Sequence, residues 1–444
     1  MSALRRTSAL APALAVAMMA SLASVDVHAT PIALTGGTVH TVSGPVLDGA
    51  TVVIDDGKIV AVGKDVSLPA GATVVSCAGK HVYPGFIAAV SVLGLVEVNS
   101  VRGTVDYQET GDINPNIRAE AGMNPESELI PVARVNGITS AMIVPRGGAI
   151  AGTPALIHLD GWTFEDMTVR APMGLFVQWP NMTSVQAFFE ERSDDEQKKA
   201  RDRQLAALRK AFDDARAYAQ ARDAEKTGGI PRHDRDLKYD AVARAVRGEI
   251  PVLFQANTLA QIKSVLSFAD EQKLTKIVLV GGNDAWRVAD ELKARNIPVI
   301  TGSMYNLPAR RSDPYDASFA LPSKLAQAGV RYCISDGGTA FGAMNSRNLP
   351  YNAAMASAFG LSRDDALKSI TLYPAQILGV ADRLGSIEAG KDADLFIADG
   401  DPLEIATHVE QVYIAGKPIS METRQTRLFE KYDHRPRGPK ARKK

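Results

Sequence analysis

Two cysteines in 444 residues, seven histidines, 6% aromatic residues and a formal net charge of zero are what this chain has little of. So few cysteines exclude a disulfide-stapled fold, while 45% hydrophobic residues over this length are enough for a large core. The charge balance speaks against nucleic acid as the main partner, because duplex binding needs a concentrated cationic face. After residue 29 no stretch approaches the roughly 18 consecutive apolar residues of a membrane span, so no integral membrane segment is expected in the mature chain. G-x-S-x-G, H-E-x-x-H and C-x-x-C are also missing, and with them the leading signatures of serine hydrolases, zincins and thioredoxin-like proteins.

What is present begins with an export pattern over residues 1–29. Arg5 and Arg6 precede the Ala-, Leu- and Met-rich run from Ala9 to Ala23, and Val27-His28-Ala29 offers small residues for cleavage. An exported protein, periplasmic or extracellular, is expected. At the other end, residues 424–444 carry nine Lys or Arg against two acidic residues and are expected to form a basic disordered tail. Cys77 and Cys333 both lie in strand-like apolar stretches and read as free buried thiols.

Residues 30–83 and 385–423 share one texture, short β-rich pieces broken by turns such as Asp55-Asp56-Gly57-Lys58 and Ala415-Gly416-Lys417. Neither piece has strands enough to stand alone. Both are therefore expected to build one small β-sandwich domain, with residues 84–384 inserted between them. That middle alternates strand and helix. Candidate strands are Gly85 to Val92, Ile138 to Val144, Gly174 to Trp179, Pro251 to Asn257, Ile277 to Val280, Pro298 to Thr301 and Tyr332 to Asp336, with helices at Leu259 to Gln272, Asp284 to Arg295 and Ser318 to Ala328. Such a rhythm is α/β, and its length suits a (β/α)8 TIM-like barrel, an open doubly wound sheet being the alternative. Ser193 to Lys226 departs from the rhythm. Its Leu205, Leu208, Phe212, Ala215 and Ala219 recur at helical spacing, which predicts one long amphipathic helix docked on the barrel.

The joint Ala78-Gly79-Lys80-His81-Val82-Tyr83-Pro84-Gly85-Phe86-Ile87 and the ending Leu384-Gly385-Ser386-Ile387-Glu388-Ala389-Gly390-Lys391-Asp392-Ala393-Asp394-Leu395 together resemble the amidohydrolase superfamily, most closely its imidazolonepropionase-like and prolidase-like group. The resemblance covers nearly the whole chain after residue 29. It implies a barrel inserted in a β-sandwich, and hydrolysis of C–N bonds in cyclic amides, imides or dipeptides with one or two divalent metals.

The chain departs from that pattern where the chemistry belongs. The His-x-His pair of the first barrel strand falls at Val90 and Val92, the fifth-strand His at Gln255 and the sixth-strand His near Gly281. Valine and glycine offer a cation nothing, and a Gln amide is a weak zinc ligand. No metal or other cofactor is therefore expected. Asp336 matches the eighth-strand Asp to which the resemblance assigns metal binding and proton transfer. His158 and His233 are the only histidines within reach of a pocket. Three readings follow. The barrel binds a small amide- or peptide-like ligand between Val90, Val92, Gln255, Asn257 and Asp336 with its turnover impaired or lost; or it stays a hydrolase with Asp336 as general base and His158 or His233 as partner; or it is an inactive subunit in a homo- or hetero-oligomer with a related amidohydrolase.

Overall fold

The computed structural model describes residues 30–185, 190–228 and 230–435. The export pattern at 1–29 lies outside them.

The chain opens with five strands, β1 (Ile32–His40), β2 (Val46–Asp55), β3 (Lys58–Gly63), β4 (Thr73–Ser76) and β5 (His81–Pro84). Asp56 and Gly57 both take positive φ in the turn between β2 and β3, the conformation a two-residue hairpin demands. Only β1 to β3 follow one another as an antiparallel meander, since β4 and β5 run parallel to β1. The register breaks around Gly36-Gly37 as β1 passes from β4 to β5. A Cβ on Gly37 would lie 2.8 Å from that of Cys77, so this change of partner depends on a bare backbone.

The middle supplies β6 (Phe86–Ser91), β7 (Ile138–Ile143), β8 (Ile150–Gly152), β9 (Ala155–His158), β10 (Thr168–Arg170), β11 (Leu175–Gln178), β12 (Val252–Ala256), β13 (Ile277–Gly281), β14 (Val299–Thr301) and β15 (Tyr332–Ile334). The last three strands are β16 (Leu395–Ala398), β17 (Val409–Ile414) and β18 (Lys417–Pro418). β16 pairs antiparallel with β5, so segments more than 300 residues apart share one eight-stranded sheet. Leu34, Val52, Ile59, Cys77 and Leu395 form its own core.

Among the described residues seven strands of the middle run parallel, in two sheets: β6 with β7, and β11 through β15 in order. An eighth parallel strand was expected. Its place is taken by β8 and β9, which run antiparallel to β11 and β7. Only residues 153–154 separate them, too short a link for the helical crossover that a parallel strand requires. β15 and β6 are joined less directly. Ser335 Oγ donates to Val90 O at 2.9 Å and accepts from Val90 N–H at 3.1 Å, while Ser369 O and Ile370 O take the N–H groups of Ile334 and Ile87.

The long helix spans Asp194–Lys226 and starts at a Ser193/Glu196 capping box. Leu208, Phe212, Ala215 and Ala219 are its buried stripe, and Phe212 meets Phe268 of the helix Leu259–Glu271 edge-on at 5.3 Å. Asp284 to Arg295 is not one helix but a 3-10 turn, Ala285–Val288, followed by Ala289–Ala294. The tail also departs from expectation: Arg424–Asp433 is helical behind the Thr423 cap, and within the tail only residues 436–444 lie outside the described chain. No described helix is long and apolar enough to cross a membrane.

Candidate functional site

A cleft of about 450 Å3 opens where the parallel strands end. Val90 from the end of β6, Gln255 and Asn257 from the end of β12, and Asp336 just after β15 all line it. Side chains near the C-terminal ends of parallel strands converge in this way because the loops that follow leave a crevice there. Six asparagines line the same cleft, Asn257, Asn283, Asn306, Asn345, Asn348 and Asn352. Asn352 is committed to Ser303, Met304 and Asn348. The side-chain amides of Asn257, Asn283 and Asn348 have no hydrogen-bond partner among the described residues. Each can donate and accept. Tyr305 and Phe341 stand exposed at the rim.

Asp336 is buried, one carboxylate oxygen accepting from Ser346 Oγ and the other from Gly338 N–H at 3.2 Å. Burial pushes its carboxyl above the usual range, against the pull of those two bonds and of the Arg146 guanidinium. Gln255 Oε1 accepts from Arg146 Nη1 and from Gln178 Nε2 at 3.3 Å, and Gln178 Oε1 in turn accepts from Gly147 N–H at 2.8 Å.

Three expected site residues lie elsewhere. Val92 is buried in the apolar core; β6 has ended at Ser91 and Val92 O accepts from Leu95 N–H in a turn, so the alternation that would pair it with Val90 has stopped. His158 pairs in register with Ser140, and its Nε2 lies 3.2 Å from Asp394 Oδ2 as an ion-pair contact without good hydrogen-bond alignment. It belongs to the junction with the small domain. His233 is exposed, with Nδ1 3.0 Å from Glu225 Oε1 at the end of the long helix. Both free thiols, Cys77 and Cys333, are buried.

The amidohydrolase family profile matches residues 268–419. The amidohydrolase tasK of Hapsidospora irregularis is 23% identical over 373 residues, 79% of this chain and 37% of that protein. An imidazolonepropionase of Mesorhizobium japonicum is 28% identical over 150 residues, 34% of this chain and 35% of that one. These matches span little more than a third of either curated relative's length. The crystal structure of an amidohydrolase from Thermotoga maritima MSB8 superposes with a TM-score of 0.77 at 27% identity, covering 88% of this chain and 99% of that one. The chain belongs to the amidohydrolase superfamily.

The residues of this superfamily member do not fit a divalent ion in the cleft. Val90 presents methyl groups, Gly281 presents nothing, and Gln255 Oε1 is already taken by Arg146. Among the described residues no group of three or more His, Cys, Asp or Glu is placed to hold a metal. Arg146, which sequence reasoning did not single out, is the residue that the geometry adds. Its one signal was its place in the glycine-rich stretch Pro145-Arg146-Gly147-Gly148 directly after a strand.

Proposed function

We propose that this chain binds a small amide- or peptide-like molecule in the cleft and has lost the metal-dependent turnover of its C–N hydrolase relatives. The observation that carries the reading is a cleft with three uncommitted Asn amides and a single carboxylate, and with Val90 and Gln255 where the superfamily resemblance would put metal ligands. Amide groups read amides well, offering a donor and an acceptor on one side chain. A divalent ion would have supplied the activated water, and no residue of the cleft replaces it in that role. The barrel and sandwich architecture, export, and assembly with itself or an active relative belong to the same proposal. The seven parallel strands support the first of these.

A second reading rests on Asp336. Its raised carboxyl faces the cleft and could take a proton from water, an aid worth typically about 10²- to 10⁴-fold. Calorimetric titration with dipeptides and cyclic amides, metal content by mass spectrometry and product assays on the same preparation separate the two. Binding with far less than one metal per chain and no product is the expected result. Stoichiometric metal, or product formation that Asp336→Asn abolishes, would restore the hydrolase.

A further inference from the structure

Arg146 leaves the end of β7 and carries its guanidinium, 9% exposed at the residue level, to the region bounded by the ends of β6, β12 and β15. Nε donates to Gly338 O at 2.8 Å, Nη2 to Gly337 O at 2.8 Å and also to Gly338 O, and Nη1 to Gln255 Oε1. The Phe176 ring centroid lies 5.6 Å from its central carbon. We propose that this guanidinium is the built-in cation of the cleft, a positioning residue that ties the ends of β12 and β15 together where a divalent ion would otherwise do so, and that its presence keeps such an ion out. The inference rests on the reading above that the cleft has lost its metal ligands.

Three features make the arrangement specific. A planar fork with several N–H groups can bond two successive carbonyls and an amide at once, which a lysine ammonium cannot reproduce in one plane. The backbone yields to it at Gly338, where φ is +59° and an added Cβ would fall 2.5 Å from Val90 Cγ1 and 3.2 Å from Nη2. Valine at position 90 then closes the apolar side, where a metal-binding histidine would compete for the same space. The charge is matched as well: one guanidinium faces one buried carboxyl, Asp336, across the turn 336–338, and each draws the other toward its charged form. A divalent ion added to this pair would place like charges side by side in a site that water barely reaches.

The test compares zinc uptake after desalting, by mass spectrometry, in the wild type, in Val90→His/Gln255→His and in that pair combined with Arg146→Ala. The two new imidazoles with Asp336 make a three-ligand set. Far less than one zinc per chain is expected while Arg146 stands, and about one once it is removed. In Arg146→Ala alone a drop in Tm of several degrees is expected, partly regained in millimolar methylguanidinium but not in sodium chloride, with Arg146→Lys failing to substitute. About one zinc in Val90→His/Gln255→His with Arg146 intact would overturn the inference and leave the binding reading standing; about one in the wild type would overturn both. A folded Arg146→Ala that methylguanidinium does not rescue would also count against it. If every Arg146→Ala chain fails to fold, uptake by Val90→His/Gln255→His decides alone, its absence supporting the exclusion and stoichiometric zinc refuting it.

Discussion

At the scale of single residues the cleft depends on missing side chains as much as on present ones. Gly281, at φ +93°, leaves room for Asn257; a Cβ there would sit 2.1 Å from Asn257 Oδ1. Gly281→Ala should therefore do two things. It should cost roughly 1–3 kcal/mol through the strained backbone, read as a lower midpoint in urea. It should also push Asn257 aside and weaken ligand binding by about tenfold, roughly the loss of one good hydrogen bond to a partner held in place. Asn257→Ala would show the second effect without the first. Equal affinity in wild type and both variants would remove Asn257 from the binding surface. That Val90, Gln255, Asn257 and Asp336 meet was legible in the sequence, because strand ends in an α/β alternation converge at one mouth. Arg146 was not, since its long side chain acts across the mouth on backbone carbonyls, which leave no trace in residue identity.

At the scale of elements the strands were read well and their partners less so. Gly85 to Val92, Pro251 to Asn257 and Tyr332 to Asp336 all contain strands, as apolar β-branched runs should. The antiparallel course of β8 and β9 escaped, because pairing direction depends on the connection and not on strand composition. His158 on β9 shows what that change accomplishes, for it brings an imidazole against Asp394, which also accepts from Ser140 Oγ at 3.2 Å and Ala415 N–H at 2.8 Å. Burial opposes the charge on His158, but Asp394 outweighs it, with Asp392 adding to the pull and Arg383 resisting; the folded pKa stands above 6.5. Asp394 is held below 3.8 by His158 and its hydrogen bonds, despite burial. The histidine's contribution to stability is thus complete below pH 6.5 and fades as pH rises through its folded value. The carboxylate's contribution is present above pH 3.8 and fades as pH falls through its own folded value. Unfolding free energy should decline as pH rises above 6.5, and His158→Gln, costing about 3 kcal/mol near pH 6, should flatten that alkaline limb. Parallel alkaline limbs in the two proteins would mean that the pair is not the titrating element.

At the scale of the whole molecule the two units are joined through close backbone contact. Phe396 of β16 stacks on Tyr83 at 5.5 Å and meets Phe86 edge-on at 4.9 Å, and the bare Gly137 backbone lies against the same ring. Gly85, between β5 and β6, donates its N–H to Asp394 O at 2.8 Å. An added Cβ there would lie 2.1 Å from Thr139 Oγ1 and 2.7 Å from Thr139 Cβ, a clash that rotating the threonine cannot clear because its own Cβ stands in the way. The motif that made the superfamily resemblance visible, Tyr83-Pro84-Gly85-Phe86, is therefore under packing constraint as well as chain-path constraint. Gly85→Ala should cost about 3 kcal/mol, at the upper end of what overpacking a tight contact costs, and Thr139→Ala in the same chain should recover only part of it. Because the contact belongs to both units, calorimetry should show the whole endotherm moving to lower temperature. A variant in which only one component moves, with the other at its wild-type midpoint, would show that the small sheet and the α/β body unfold independently and that the joint couples them weakly.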